Sequence, residues 1–147
     1  MLKGIPPLIS PDFMKILMEM GHGDDIVLVN ANFPAASNAR RLVRCDGSTG
    51  VEVLEAVMRF FPLDNFIASP VTLMDVASGE TTAPEIWSEF QAVITRSEPW
   101  VQQFKTVNRF DFYEQARQAY AIVVTGERKR YANIILRKGI IEPGVEI

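Results

Sequence analysis

Three short segments of this chain are almost entirely apolar, and they restrict the folds it can adopt more than any other feature. They are Ile26–Val29, Ala121–Thr125 and Asn133–Leu136. A strand with one face in water alternates apolar and polar residues, whereas a strand covered on both faces is apolar throughout. Helical segments alternate with these runs. The sequence therefore predicts a single α/β domain over residues 1–147, with a largely parallel central sheet and helices on both faces.

Capping residues and apolar periodicity predict the other elements. Ser10 is predicted to cap a first helix that begins at Pro11, and Gly21 is predicted to end it. Asn108 is predicted to cap a helix over Arg109–Gln118. The remaining predictions are strands over Leu42–Cys45 and Val71–Val76 and helices over Val51–Phe61 and Pro84–Ile94.

The composition is that of a globular protein, and it argues against nucleic acids and membranes as partners. Of the 147 residues, 48% are hydrophobic and 22% are charged, which suits one domain with a core. A net charge of −3 does not provide the basic surface that nucleic acids require. No segment approaches the roughly 20 apolar residues of a membrane span. The lone Cys45 cannot form an internal disulfide and is interpreted as a core residue, so we expect a cytoplasmic protein.

The only histidine, His22, lies between two glycines, where the first predicted helix gives way to an apolar strand. Histidine can both donate and accept a proton near neutral pH, and glycines leave room for a ligand close to the backbone. A residue that caps a helix end would be placed in the same way, so both interpretations are open. No metal site is predicted, because one histidine and one cysteine do not form a Cys/His zinc site.

Polar residues lie beyond the ends of predicted strands, where ligands bind in open α/β sheets. Asn30 follows the first strand. Tyr131 and Asn133 lie at the start of the last strand, where strand alternation would turn both side chains to the same face. Arg109 occupies the first turn of a helix, where a cation opposes the helix dipole, so a ligand or a carboxylate such as Glu114 is expected beside it. The histidine precedes its strand, so a turn of the chain or a neighbouring subunit must bring it to these residues.

Several motifs follow one another along nearly the whole chain. They are Leu8–Pro11, Met20-Gly21-His22-Gly23-Asp24, Ala31-Asn32-Phe33-Pro34-Ala35, Asn108–Glu114, Ile122–Arg128 and Tyr131–Ile134. Each motif is a modest signal by itself. In this order and at this spacing, they resemble the family of fucose mutarotases and ribose pyranases, and the fucose branch most closely.

The resemblance implies an enzyme that interconverts the α and β anomers of a free monosaccharide, typically L-fucose, without a metal or other cofactor. It implies that His22 is the proton donor and that Arg109, Tyr131 and Asn133 bind the sugar. It also implies a homo-oligomer with sites near the contacts between subunits, in assemblies that reach decameric rings in bacterial members of the family.

One residue departs from the family pattern. Asn30 stands where the family usually has an aspartate, a residue that would bind the sugar or orient His22. An amide keeps the hydrogen bonds but loses the charge, so Asn30 is expected to contact the sugar while catalysis is weaker or tuned to another sugar. Two alternatives follow. One is a non-catalytic monosaccharide-binding protein, in which Asn30→Asp restores turnover, and the other is an isomerase that interconverts the pyranose and furanose forms of ribose.

Overall fold

The computed structural model describes residues 2–145, in which a six-stranded sheet lies between two layers of helices. The strands are β1 (Asp25–Val29), β2 (Leu42–Cys45), β3 (Val71–Met74), β4 (Lys105–Val107), β5 (Ala121–Thr125) and β6 (Ile134–Arg137). The helices are α1 (Pro11–Glu19), α2 (Ala35–Asn38), α3 (Gly50–Val57), α4 (Glu85–Ser97) and α5 (Arg109–Gln118). The predicted elements are all present, with bounds shifted by up to four residues.

The strand order is β2-β5-β1-β6-β3-β4, and only β6 runs against its neighbours. The sheet is therefore largely parallel, and the predicted α/β fold is confirmed. Strands β1 to β5 begin at one end of the sheet, here called the amino end, and finish at the opposite carboxyl end. Because β6 is reversed, the residues that precede it lie at the carboxyl end and those that follow it lie at the amino end.

The helices cover both faces of the sheet. Helices α1, α3 and α4 pack on one face, and α2 and α5 pack on the other. In β1, Ile26 and Leu28 point into the first layer while Val27 and Val29 point into the second. Each of these four side chains is at most 1% exposed, and burial of such a side chain contributes about 1.5–3 kcal/mol. The apolar character of the whole strand follows from this double coverage.

Two details of the fold bear on the sequence predictions. Cys45 is buried in the core as expected, and burial raises the pKa of its thiol. The sequence does not predict β4, because Lys105 and Thr106 make this strand polar and it lies exposed at the border of the sheet. Over residues 2–145, no helix has the length and apolar character needed to cross a membrane.

Gly126 brings two loops into close contact beyond β5. A Cβ atom at this position would lie 2.2 Å from the backbone oxygen of Asp46. Backbone cannot move aside as a flexible side chain can, so we expect Gly126→Ala to lower the free energy of unfolding by about 1–3 kcal/mol. Denaturant titration measures this loss. Gly47→Ala is the matched control, since nothing lies within 4 Å of its Cβ position, and equal stability of the two variants would contradict the prediction.

Candidate functional site

His22 and Asp64 form a hydrogen-bonded pair at the amino end of the sheet. The Nε2 atom of His22 lies 3.2 Å from Oδ1 of Asp64. The Asp64 side chain is only 4% exposed, whereas the His22 side chain is 46% exposed. A carboxylate partner on one ring nitrogen sets the tautomer and orientation of an imidazole, so Nε2 carries a proton and Nδ1 is the nitrogen left for a ligand.

Asp64 is itself held in place by the backbone around it. Its Oδ1 also accepts a hydrogen bond from the Phe66 amide at 3.0 Å, and its own amide donates to the Arg137 oxygen at the end of β6, at 3.1 Å. The Phe66 ring lies 5.5 Å from the His22 ring and covers it on one side. Asp64 has no signal in the sequence, because no periodicity relates two residues that are 42 positions apart.

The turn that carries the histidine is fastened to β6. The Gly23 amide donates to the Lys138 oxygen, and the Lys138 amide donates to the Asp24 oxygen, both at 2.8 Å. The sequence predicts Gly21 as the end of the first helix, but α1 already ends at Glu19. The glycine with left-handed backbone is Gly23, whose φ of +84° favours a residue without a Cβ atom. Of the two glycines that flank His22, only Gly23 adopts a backbone conformation that favours glycine.

The other predicted site residues lie at the carboxyl end of the sheet. Asn30 follows β1, Tyr131 and Asn133 precede β6, and Arg109 follows β4. Strand β1 alone spans about 16 Å at about 3.3 Å per residue. Within one chain, therefore, the structure does not bring His22 to these four residues.

Asn30 is buried, and the protein engages both ends of its side-chain amide. Its Oδ1 accepts from the Asn32 amide at 3.1 Å, and its Nδ2 donates to the Lys129 oxygen at 3.2 Å. Its backbone amide donates to Oδ1 of Asn133 at 3.0 Å. Because Asn32 offers a donor and Lys129 an acceptor, these two partners define which end of the Asn30 side-chain amide carries the oxygen. Within one chain Asn30 does not contact His22, whose carboxylate partner is Asp64.

Asn30→Asp is therefore expected to destabilise the protein. A carboxylate has no proton to donate to the Lys129 oxygen, and the two oxygens would face each other in a buried setting. We expect the free energy of unfolding to fall by about 1–3 kcal/mol, measured by denaturant titration. Asn32→Asp makes the same charge change at an exposed residue and is the control. An Asn30→Asp variant of undiminished stability and higher activity would contradict the structural role of this amide.

Tyr131 lies in a turn before β6, and the predicted strand alternation with Asn133 is wrong. Its φ is +59°, in the left-handed region that non-glycine residues seldom occupy. The indole Nε1 of Trp87 donates to the Tyr131 backbone oxygen at 3.1 Å and holds this turn in place. Asn133 is instead buried, with its Nδ2 3.9 Å from the sulfur of Met74.

The Tyr131 hydroxyl makes three hydrogen bonds. It accepts from the Ala77 amide at 3.1 Å and from Nη2 of Arg130 at 3.0 Å. It donates to Oε1 of Glu80 at 2.7 Å. These contacts connect the loop that precedes β6 to the segment that follows β3.

Buried Glu127 orders the loop that carries Tyr131. Its Oε1 accepts from the backbone amides of Arg128 and Lys129, both at 2.9 Å. Its Oε2 accepts from the amide of Gly50, the first residue of α3, at 3.4 Å. The supporting role of Glu127 was not predictable from the sequence, because its partners are backbone amides, which have no sequence signature.

Arg109 is exposed at the start of α5, and Asn108 caps this helix as predicted. Its guanidinium lies 5.1 Å from the ring centroid of Phe110, which is 73% exposed. The ion pair expected with Glu114 is wrong, because Glu114 pairs with Arg117 at 2.7 Å. Among the residues that the structure describes, Arg109 forms no ion pair, and no three or more His, Cys, Asp or Glu side chains are grouped so as to hold a metal ion.

Comparison with known proteins gives the same relatives by sequence and by structure. Curated L-fucose mutarotases of Actinobacillus pleuropneumoniae are 41% identical over 140 residues, which cover 95% of this chain and 97% of theirs. The fucose mutarotase of Streptococcus pneumoniae, solved in complex with L-fucose, superposes with a TM-score of 0.91. It is 47% identical, and the match covers 96% of this chain and 100% of that one.

A second solved structure and a family model agree with these relatives. FucU from Bifidobacterium longum superposes with a TM-score of 0.91 at 42% identity, over 95% of this chain and 100% of that one. The model of the RbsD / FucU transport protein family matches residues 3–141. The resemblance identified from the sequence motifs is confirmed, and the chain belongs to the RbsD / FucU family.

Proposed function

We propose that this protein is a sugar mutarotase that interconverts the α and β anomers of a free monosaccharide, with L-fucose as its substrate. The observation that carries the proposal is the His22–Asp64 pair, an exposed imidazole held by a buried carboxylate. Relatives named L-fucose mutarotase, which are isomerases, support the same class of reaction.

Mutarotation requires one proton to leave the anomeric hydroxyl and another to reach the ring oxygen. The bond between the anomeric carbon and the ring oxygen breaks, and the anomeric carbon becomes an aldehyde. Rotation of the aldehyde and reversal of the two proton transfers close the ring as the other anomer. In our proposal the doubly protonated imidazole of His22 donates its Nδ1 proton to the ring oxygen and takes a proton back when the ring closes, while its Nε2 proton stays bonded to Asp64. Solvent water accepts the proton of the anomeric hydroxyl on ring opening and returns one on closure.

The residues at the carboxyl end are proposed to bind the sugar. Arg109 has five N–H donors and a permanent charge, which suit sugar oxygens and a developing alkoxide. Tyr131 and Asn133 both lie in the loop before β6, the first partly exposed and the second buried beside Asn30. Asn30 supports this sugar-binding region at the carboxyl end of the sheet, mainly through its hydrogen bonds to Lys129 and Asn133.

Because the two halves lie at opposite ends of the sheet, we propose that a complete site forms between two copies of the chain. Contact between the amino end of one copy and the carboxyl end of the next is heterologous, and such contacts form a ring when the rotation from copy to copy closes. Phe66 at the amino end is 65% exposed and Phe110 at the carboxyl end is 73% exposed, as expected for side chains that subunit contact would cover. The number of subunits, and a decameric ring in particular, stays a prediction, as does a cytoplasmic location.

Saturation-transfer NMR at the anomeric protons tests the activity. We expect catalytic amounts of the protein to accelerate exchange between the α and β signals of L-fucose above the uncatalysed rate. A panel of common monosaccharides that includes D-ribose defines the substrate. Absence of acceleration with every sugar would contradict a mutarotase, and acceleration confined to the pyranose–furanose exchange of D-ribose would favour the ribose isomerase.

The structure weakens one reason to expect a non-catalytic sugar-binding protein. That alternative depends on the lost charge at Asn30, yet His22 has a carboxylate partner in Asp64. Isothermal titration calorimetry distinguishes the two functions, because a binding protein would show heat with a sugar that undergoes no accelerated exchange.

A further inference from the structure

The residues proposed to bind the sugar have few hydrogen-bond acceptors to offer it. The Tyr131 hydroxyl has one donor and two acceptor positions, and all three are engaged. The Asn30 and Asn133 side-chain oxygens each accept a backbone amide already, and Arg109 carries donors alone. Sugar hydroxyls donate as well as accept, so a site built from these four residues alone is short of acceptors.

Glu80 supplies an acceptor at this place. Its Oε1 accepts from the Tyr131 hydroxyl at 2.7 Å and from Nη2 of Arg130 at 2.9 Å. Both donors use the same oxygen, and within residues 2–145 no hydrogen bond engages Oε2. The side chain is 37% exposed. Glu80 therefore holds one carboxylate oxygen against Tyr131 and leaves the other available to solvent or a ligand.

The backbone around Glu80 supports this placement. The Glu80 amide donates to the Ala77 oxygen at 3.0 Å, and the Ala77 amide donates to the Tyr131 hydroxyl. Gly79, within this turn, has a φ of +93°. The turn and the tyrosine therefore position the carboxylate together, on the segment that follows β3.

We propose that Oε2 of Glu80 accepts a hydrogen bond from one hydroxyl of the bound sugar and contributes to the choice of substrate. This inference rests on the proposed sugar-binding function. Asp75 is the competing acceptor, since it is also exposed at the carboxyl end. Its Oδ1 accepts the amide of its own neighbour Val76 at 2.8 Å, and within residues 2–145 its carboxylate forms no hydrogen bond or ion pair with the proposed sugar-binding residues.

Glu80→Gln tests the proposal with almost no change in shape. Tyr131 and Arg130 both require an acceptor, so the glutamine oxygen takes the place of Oε1 and the NH₂ group replaces Oε2. The outward acceptor becomes a donor. We expect the Kd and the KM for L-fucose to rise about tenfold, as for loss of one hydrogen bond to a charged group, with a smaller change in kcat.

Glu85→Gln and Asp75→Asn are the matched controls. Each removes one negative charge from an exposed side chain five positions from Glu80 in the sequence, and each is expected to leave the Kd unchanged. Derivatives of L-fucose that are deoxygenated or O-methylated at a single hydroxyl then locate the contact. One derivative should bind equally to the wild-type protein and to Glu80→Gln, because it lacks the hydroxyl that donates to Oε2.

Three outcomes would overturn the proposal. The first is an unchanged Kd for L-fucose in Glu80→Gln. The second is a loss of affinity in Glu85→Gln as large as that in Glu80→Gln. The third is a loss of affinity in Asp75→Asn that Glu80→Gln does not show. Binding by calorimetry and melting temperature are measured for every variant, so a folding defect is recognised. If the wild-type protein binds L-fucose without accelerating its anomer exchange, the proposed mutarotase activity is contradicted. The comparison of Kd between the wild-type protein and Glu80→Gln then still tests whether Glu80 binds the sugar. If the wild-type protein binds no sugar of the panel, both proposals fail.

Discussion

His22→Ala is expected to abolish the acceleration of anomer exchange while the protein remains folded. The variant removes the group proposed to exchange a proton with the ring oxygen, and general acid–base catalysis contributes about 10²–10⁴-fold to a rate. The fold should survive, because the side chain is 46% exposed and makes one hydrogen bond. Saturation-transfer NMR with L-fucose measures the loss, and circular dichroism and the melting temperature report the fold.

His22→Gln separates proton transfer from positioning. A glutamine amide can still donate to Asp64, but it does not titrate, so this variant is expected to be as inactive as His22→Ala. Phe66→Leu is the control beside the ring, since it alters the packing against His22 and leaves the imidazole in place. Exchange at the wild-type rate in either histidine variant would remove His22 from the mechanism.

A mixture of two inactive variants is expected to regain activity. His22→Ala damages the half-site at the amino end and Asn133→Ala damages the half-site at the carboxyl end, so each is inactive by itself if both halves are needed. Random assembly of equal amounts joins two intact halves in roughly one site of four, so roughly a quarter of the wild-type activity should return. The measurement is anomer exchange after the mixture has exchanged subunits under mild denaturation and refolding.

The control for this experiment mixes His22→Ala with His22→Gln, in which the same half is always damaged. That mixture is expected to stay inactive. Equal inactivity of both mixtures, with subunit exchange verified by mass spectrometry of differently tagged copies, would contradict a site shared between copies. Such a result would leave each chain to assemble its catalytic groups alone.

The elements of the fold were predictable because their signals are local. Ser10 and Asn108 cap their helices as expected, and each accepts a hydrogen bond from the amide three residues on. The apolar runs mark strands that are covered on both faces. Strand β4 was not predictable, because three residues with two polar side chains form a strand only through their pairing with β3. The reversal of β6 depends equally on its neighbours.

The site was predictable in its residue types and much less in its geometry. The solitary, glycine-flanked histidine is visible in the sequence, but its partner Asp64 is brought to it by pairing between β6 and the chain around Leu63. Tyr131 was expected at the start of a strand, on the same face as Asn133, and lies in a left-handed turn because Trp87 and Glu80 hold it from outside its own segment. Contacts between distant segments decide such features, and no local pattern records them.

Strand β6 links the two proposed half-sites, because one lies at each of its ends. Asn133 precedes the strand and bonds to Asn30, while beyond its other end Lys138 holds the turn that carries His22. Arg137 locks the register of the strand through two hydrogen bonds to Asp25, both 2.9 Å long. If copies join end to end, every β6 would serve two catalytic centres at once, one at each of its ends. A slip of this short strand would then disable both centres together, so its register is under a double functional constraint.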